Sequence, residues 1–241
     1  MGNELHAFRV GTCQKQELTI DFEHGFNDLE FNVEEGATLL LHLLNLDHAQ
    51  SGKITANVEQ DGVFSAMMAD FSSGKAHLEV IVNLRGNNAR GTWKLSTLTN
   101  DHDDKIFNVF FNHLAPFTYG LMDNYGVARN SSRLIFSGSN EIMRGAHDSK
   151  TRQNAKIIVF DEGAIAKADP QLWINENEVE ASHSAIVGKL NDDHLFYLMS
   201  RGLNLDEAKR LITYGYLMPI ADYFADEEVK KRIAKIIEER V

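Results

Sequence analysis

Short runs of alternating or consecutive apolar residues occupy most of the chain from residue 5 to residue 188. Alternation with a period of two is typical of strands that bury one face. Clusters of Gly, Asn, Asp and Ser separate the runs, and these residues favour tight turns. The pattern predicts strands over residues 18–22, 29–33, 39–46, 54–58, 78–84, 92–98, 106–114, 121–128, 134–137, 155–160, 172–174 and 179–187.

The spacing of these runs leaves the type of β architecture open. Successive runs start somewhat farther apart than the ~8–12 residues that are typical of sandwiches and barrels. Pro116 and Pro170 are the prolines in this part of the chain, so continuous backbone ladders are permitted. No clean sequence repeat marks a solenoid. A sandwich, a barrel and a β-helix all remain compatible with the spacing.

After Gly188 the apolar period lengthens to that of a helix. A first helix is predicted to start at Asn191, whose side chain can accept a hydrogen bond from a free backbone N–H. Asp192 and Asp193 favour the positive end of that helix, and Gly202 is a suitable terminator. The chain therefore changes from strands to helices near residue 190.

Two further helices are predicted. Asn204 and Glu207 have capping-box spacing at the start of the second, and Pro219 predicts a break or kink. The third covers about residues 226–241, and its apolar side chains form one stripe of Val229, Ile233, Ile236 and Ile237. Burying each contributes ~1.5–3 kcal/mol, so the stripe should dock on the body or on a partner.

Composition narrows the function classes. The net charge of -11 disfavours binding to nucleic acid or to an anionic membrane surface. The first ten residues lack the features of a signal peptide, and the longest apolar run is interrupted by His42 and Asn45, so no membrane span is expected. Cys13 is the only cysteine, which excludes an internal disulfide and fits a reducing cytosol.

General catalytic motifs are absent. The sequence has no phosphate-binding P-loop, no dinucleotide-binding glycine motif, no His-Glu-x-x-His and no Gly-x-Ser-x-Gly. ATP hydrolysis by this chain is therefore not expected. Residues 101–104 (Asp-His-Asp-Asp) could supply metal ligands, but adjacent turn residues rarely all point inward, which favours a solvated turn. The His147–Asp148 pair has no identifiable nucleophile and indicates an ordinary loop.

His183 lies in an alternating strand. The odd positions, Val179, Ala181, His183, Ala185 and Val187, share one face of it. A histidine among small apolar neighbours is more often a core or interface residue than a ligand. The same position also suits a metal or cluster ligand at a protein interface, because neutral imidazole binds iron.

Two ordered stretches of the sequence resemble one known family. The first comprises Asn154 and residues 157–159, 164–168, 170–174 and 179–188. The second comprises Leu-Phe-Tyr-Leu at 195–198, Ser-Arg-Gly at 200–202, Glu-Ala at 207–208 and Tyr-Gly at 214–215. In this order they resemble the end of the core and the tail of the SufB/SufD iron–sulfur cluster assembly scaffolds. The proline-led strand and the Ser-His pair are similar to SufD.

The resemblance implies a mainly β fold, a right-handed parallel β-helix over residues 1–190 followed by a small helical region over residues 191–241. It also implies a non-catalytic scaffold that pairs with a SufB-like subunit or a second copy of itself, and that docks a SufC-like ABC-type ATPase on its helices. The residues implied in ATPase docking are Leu195, Phe196, Tyr197, Arg201, Gly202, Tyr214 and Gly215.

His183 matches the SufD histidine that the family places at the cluster-assembly interface, as a candidate ligand. The resemblance thus implies at most a transient iron–sulfur cluster shared with a partner, and none bound by this chain alone. Ala181 stands at the nearby SufD cysteine position, Ser184 replaces the usual Gly and Ile186 replaces Thr. Cys13 lies outside the matching region and cannot inherit the role of a SufB cysteine.

One alternative belongs to a different functional class. A β-helix enzyme acting on carbohydrate would need paired carboxylates, for which Asp101, Asp103 and Glu141 are candidates. The sequence contains no identifiable paired-acid constellation, so this remains the less favoured hypothesis.

Overall fold

The computed structural model describes residues 5–23, 28–190 and 192–241. Within this part of the chain, fourteen strands alternate between two parallel sheets. The strands are β1 Leu5–Val10, β2 Lys15–Asp21, β3 Asp28–Val33, β4 Thr38–Asn45, β5 Gly52–Val58, β6 Val63–Asp70, β7 Lys75–Leu84, β8 Arg90–Thr99, β9 Asp104–His113, β10 Tyr119–Ala128, β11 Arg133–Ile142, β12 Ser149–Val159, β13 Ile165–Ile174 and β14 Val179–Lys189.

The odd strands form one sheet and the even strands form the other, each in sequence order. Every strand therefore pairs with the strands two places before and after it, which is the topology of a parallel β-solenoid. Each turn of the solenoid contains two strands. Successive strands predicted from the sequence therefore start about half a turn apart along the chain. The predicted β-helix followed by helices is confirmed.

The main hydrophobic core fills the space between the two sheets. Alternate positions of each strand point inward, as in β9, where every second residue from Lys105 to His113 is buried. The largest apolar side chains in this core include Phe31, Phe64 and Trp93, none of which is exposed. Burial of such side chains contributes ~1.5–3 kcal/mol each, and it is repeated turn after turn along the solenoid.

Two strands, β1 and β6, were not among those predicted. The sequence of β6, Val63–Asp70, lacks alternation because apolar residues point both ways. Phe64 and Met68 enter the core between the sheets, whereas Met67 packs under the helices on the outside. Ala and Met also favour strands only weakly. Because both faces of β6 are buried, its sequence lacks the alternation of apolar and polar residues on which the strand prediction depended.

The helices follow β14. They are α1 Asp192–Ser200, α2 Leu205–Leu217, a 3₁₀ helix Met218–Tyr223 and α3 Glu227–Arg240. The predicted capping box is confirmed, since Asn204 accepts from the Glu207 N–H and Glu207 accepts from the Asn204 N–H. Gly202 has φ 99°, as expected of a terminator. Pro219 lies where α2 gives way to the 3₁₀ helix. The predicted cap Asn191 lies outside the described residues.

The helical region packs on the outer face of the even sheet. A second hydrophobic cluster joins Leu44, Met67 and Leu98 of the sheet to Ile233 and Ile237 of α3. The apolar stripe predicted on the third helix is therefore buried on the solenoid itself. No helix in the described ranges is both long and apolar enough to cross a membrane.

A buried polar network lies beside this cluster. Lys105 Nζ is 2.5 Å from Asp70 Oδ1, and Asp70 also accepts from Asn45 and Ser72. Burial lowers the pKa of Lys105, and the attraction of Asp70 opposes that shift. The nearby guanidinium of Arg240, from the last turn of α3, donates to the backbone carbonyl of Phe71 at 2.5 Å. The network ties α3 to the solenoid.

Candidate functional site: the open end of the solenoid and its helical face

His183 lies on β14, the last strand of the even sheet. Its register partner on β12 is Gln153, and the odd positions of β14 pair with the buried positions of β12. The predicted shared face of these residues is therefore the face that points toward the core. His183 is nevertheless exposed, because no strand in the described chain pairs with the other edge of β14.

The end of the solenoid combines open strand edges with exposed apolar side chains. β13 pairs with β11 and β14 pairs with β12, which leaves one edge of each strand unpaired among the described strands. Trp173, Ile186 and Val187 are exposed there. An unpaired edge is a template for pairing with another chain. This end therefore has the chemistry of an interface.

The positions at which the sequence departs from the family pattern have definite places. Ala181 points toward the core face and pairs with Thr151, whereas Ser184 and Ile186 lie on the outer face of β14. Cys13 is an exposed free thiol between β1 and β2, at the opposite end of the solenoid from β14. The structure therefore does not bring Cys13 near His183.

The acidic turn has a structural role. Asp103 is buried and accepts hydrogen bonds from the backbone N–H groups of Gly74 at 2.6 Å and Asn100 at 2.9 Å. It also accepts from Arg240. The predicted solvated turn is therefore wrong for Asp103, whose carboxylate organises the loop and the end of α3. Within the described ranges, no group of three His, Cys, Asp or Glu side chains could hold a metal ion.

The remaining candidates for catalysis are not brought together as an acid pair. Asp101 lies in the loop after β8 and accepts a hydrogen bond from Asn130, while Glu141 lies on β11 of the other sheet. The partly buried His147 lies 2.7 Å from Asp148, which is exposed. The adjacent Ser149 hydroxyl is buried and bonds to Thr118 instead, so the pair has no nucleophile beside it.

The helical face presents most of the residues predicted for docking. Phe196 is 75% exposed and Tyr197 is 57% exposed on α1, and Leu195 is partly buried. The guanidinium of Arg201 lies 5.3 Å from the ring centroid of Tyr197. Gly202 ends this segment with its positive φ. Large apolar side chains at such exposure are typical of an interaction surface.

Two grooves extend this face. One, of about 480 Å³, lies between α2 and α3 and is lined by Tyr214, Leu211 and Ile237. The other, of about 390 Å³, lies between α2 and β14 and includes Gly215 and Ile186. Leu211, which is 51% exposed, was not among the predicted docking residues because it lies outside the sequence motifs on which that prediction rested.

The sequence prediction also missed Gln153. It is 2% exposed, and its Nε2 donates to the Gly138 carbonyl at 3.4 Å, while its Oε1 has no partner among the residues that the structure describes. Only its register with His183 distinguishes it from other polar residues. That register depends on the solenoid pairing, which the sequence does not reveal.

A family model and individual relatives match this chain. The family model described as the SUF system FeS cluster assembly, SufBD core domain, matches residues 16–216. The iron–sulfur cluster assembly protein SufD of Bacillus subtilis is 32% identical over 170 residues, which cover 70% of this chain and 39% of that protein.

Two further relatives are more distant. SufD of Escherichia coli is 23% identical over 179 residues, covering 73% of this chain and 42% of that protein. SufB of Bacillus subtilis is 25% identical over 136 residues, covering 56% of this chain and 29% of that protein. The chain thus spans less than half the length of the relatives it matches.

Proposed function

Because the chain belongs to the SufB/SufD family of iron–sulfur cluster assembly proteins, we propose that it is a non-catalytic scaffold or accessory subunit of such an assembly complex. Its open solenoid end pairs with another subunit, and its helical face docks an ABC-type ATPase. The observation that supports the proposal is the exposed end strand β14, which carries His183, the residue that resembles the SufD histidine, at a sheet edge unpaired among the described strands.

The pairing partner is a SufB-like subunit or a second copy of this chain. A strand of the partner can add to the free edge of β14 or β13, because the backbone groups there have no pairing strand among the described residues. Association would also bury Trp173, Ile186 and Val187, whose apolar surface is otherwise in water. Backbone pairing and apolar burial thus favour the same contact.

The ATPase docks on α1 and the adjoining groove. Phe196 and Tyr197 project from α1 as aromatic anchors, and aromatic residues are enriched among side chains that dominate binding energy. The groove between α2 and α3 is lined by the apolar side chains of Leu211 and Ile237 and by the charged Arg210 and Glu238. An apolar centre with charged residues around it is the usual anatomy of a specific interface.

His183 would contribute an imidazole ligand to a transient iron–sulfur cluster at the subunit junction. The cluster is cargo, and the partner would supply thiolates, because Ala181 occupies the nearby position and Cys13 lies at the far end of the solenoid. A neutral imidazole is a suitable ligand for iron. This chain alone would then hold no cluster.

Co-purification with a SufC-like ABC ATPase tests the docking. The wild-type chain should retain the ATPase, and the double variant Phe196→Ser/Tyr197→Ser should lose it. Leu5→Ser is a matched control, because Leu5 is 58% exposed on β1 at the opposite end of the solenoid. Failure of the wild-type chain to retain the ATPase, with and without nucleotide, would reject this part of the proposal.

Anaerobic cluster reconstitution with the SufB-like subunit tests the second part. The complex that contains His183→Ala should hold less iron and sulfide than the wild-type complex. His183→Gln, which keeps a polar side chain of similar length, separates metal ligation from simple hydrogen bonding. Equal cluster content in all three complexes would remove His183 from the site.

A further inference from the structure

We propose that Gln153 is a positioning residue for His183, which takes one ring N–H of the imidazole and leaves the other ring nitrogen for the cluster. This inference rests on the proposed role of His183 as a ligand. Metal-ligating histidines almost always donate their second N–H to an oxygen acceptor, and that acceptor fixes the tautomer and the ring orientation. At the open end of the solenoid, the side chain of Gln153 offers such an acceptor, and Gln153 is in register with His183.

The register places Gln153 directly beside His183. β12 and β14 are parallel neighbours, and Gln153 and His183 are partners in their pairing. Partner side chains in adjacent strands lie on the same side of the sheet, with the strands ≈ 4.7–4.9 Å apart. Both residues point to the core side, because Gln153 is buried and its neighbours Thr151 and Ala155 on the same face are buried as well.

The two polar atoms of the Gln153 amide differ in their hydrogen bonding among the described residues. Its Nε2 reaches across from the even sheet to donate to the Gly138 carbonyl of β11 in the odd sheet. Its Oε1 is buried and has no hydrogen-bond partner within the described part of the chain. A buried acceptor left unpaired costs ≈ 1–3 kcal/mol. The exposed imidazole of His183, in the next strand, is a donor that can relieve this cost.

The anchor of Gln153 depends on a backbone position that only glycine fills. Gly138 has φ 145°, and a Cβ atom there would lie 1.8 Å from the carbonyl oxygen of Val109. The Gly138 carbonyl accepts the Gln153 amide from inside the solenoid. Gly138, Gln153 and His183 thus lie in series across three strands, in which the Gly138 carbonyl holds the amide of Gln153 and Gln153 is the register neighbour of His183.

Asn140 provides an internal comparison. It is also buried, and neither the oxygen nor the nitrogen of its amide has a partner in the described ranges. However, it lies on β11 in the odd sheet, where its partner on β13 is Leu172. Asn140 is therefore a buried amide without a histidine in register. A variant of Asn140 changes the polarity of the core but not the register neighbour of His183.

The tautomer of His183 in the intact 241-residue chain, free of partner and cluster, tests the inference. Nitrogen-15 chemical shifts of the ring should report one dominant tautomer in the wild-type protein. Gln153→Met has similar length but no acceptor, and it should shift the ring toward the tautomer mixture of free histidine. The matched control Asn140→Leu should leave the His183 shifts unchanged.

Cluster binding supplies an independent measurement. Loss of the acceptor should weaken cluster retention in the complex by roughly 10–100-fold, as for other outer hydrogen-bond partners of metal ligands. Identical His183 shifts in wild type and Gln153→Met would overturn the positioning role even if His183 is a ligand. A shifted tautomer with no effect of His183→Ala on the cluster would instead reject the ligand role and leave the hydrogen bond established.

Discussion

Lys105 Nζ lies 2.5 Å from Asp70 Oδ1, and neither side chain exposes more than 1% of its surface. The ammonium also donates to the Leu98 carbonyl. The charge is therefore held by Asp70 at the end of β6 and by the backbone of β8. Removing one member of such a pair leaves an uncompensated charge in the core, which is far more costly than the net value of the pair.

Lys105→Met should therefore lower the free energy of unfolding by about 3–5 kcal/mol. The double variant Lys105→Met/Asp70→Asn should be more stable than Lys105→Met alone, because the remaining carboxylate is neutralised while Asn45 and Ser72 keep a polar neighbour. Urea unfolding followed by circular dichroism measures both. A Lys105→Met protein as stable as the wild type would contradict the burial of this pair.

The stability of the protein should fall between pH 6.5 and pH 4 because of His113. Burial lowers the pKa of His113 from 6.5 to about 4. In this window the unfolded chain binds a proton that the folded protein does not, so the free energy of unfolding decreases as the pH falls. Over the full window, this difference in proton binding lowers the free energy of unfolding by about 3 kcal/mol.

The variant His113→Asn isolates this effect from the titration of carboxylates. An Asn side chain can still reach Thr118, which His113 Nδ1 contacts at 2.7 Å, but it does not titrate. Urea unfolding of both proteins at several pH values should show a shallower decline for the variant. Parallel pH profiles would indicate that His113 is already protonated in the fold.

Gly138→Ala should destabilise the protein by more than about 4 kcal/mol, a loss that is exceptional for a single substitution. The added Cβ would overlap the Val109 carbonyl, and φ is 145°. Gly145→Ala is the matched control, because Gly145 also has a positive φ, 91°, but no atom lies within 4 Å of the added Cβ. The control should lose only about 1–2 kcal/mol. Similar thermal-unfolding losses in the two variants would mean that the contact with Val109 can relax.

Asn204→Ala should lower stability by about 1 kcal/mol through loss of the α2 cap. Asn204 Oδ1 accepts from the Glu207 N–H at 2.9 Å, and Glu207 returns a bond to the Asn204 N–H at 2.8 Å. Asn204→Ser keeps a capping oxygen and should lose much less. Chemical unfolding measures the difference, and no gap between the two variants would argue against the cap.

Local signals in the sequence were sufficient for twelve of the fourteen described strands and for the start of α2, although not for the ends of every strand. The Asn204–Glu207 spacing predicted the start of α2, and the stripe that contains Ile233 and Ile237 predicted a docked helix. The alternation around His183 predicted which residues share a face. Each of these features depends on residues close together in the chain, so one sequence contains the information.

Features that depend on distant pairing were not predictable in this way. Lys105 and Asp103 resemble solvent-facing residues in the sequence, but both are buried because α3 and neighbouring strands surround them. The register of Gln153 with His183 depends on the number of residues in the intervening turn of the solenoid. Strand spacing alone also fitted a sandwich or barrel, and the family resemblance was needed to choose.

The packing of α3 has a consequence for biosynthesis. Turns of a solenoid contact mainly their neighbours and can fold in order as the chain leaves the ribosome. Leu44, Met67 and Leu98 belong to early turns, yet Ile233 and Ile237, which cover them, are translated much later. The nascent solenoid therefore displays an apolar strip on its even sheet until α3 has been translated and can cover it.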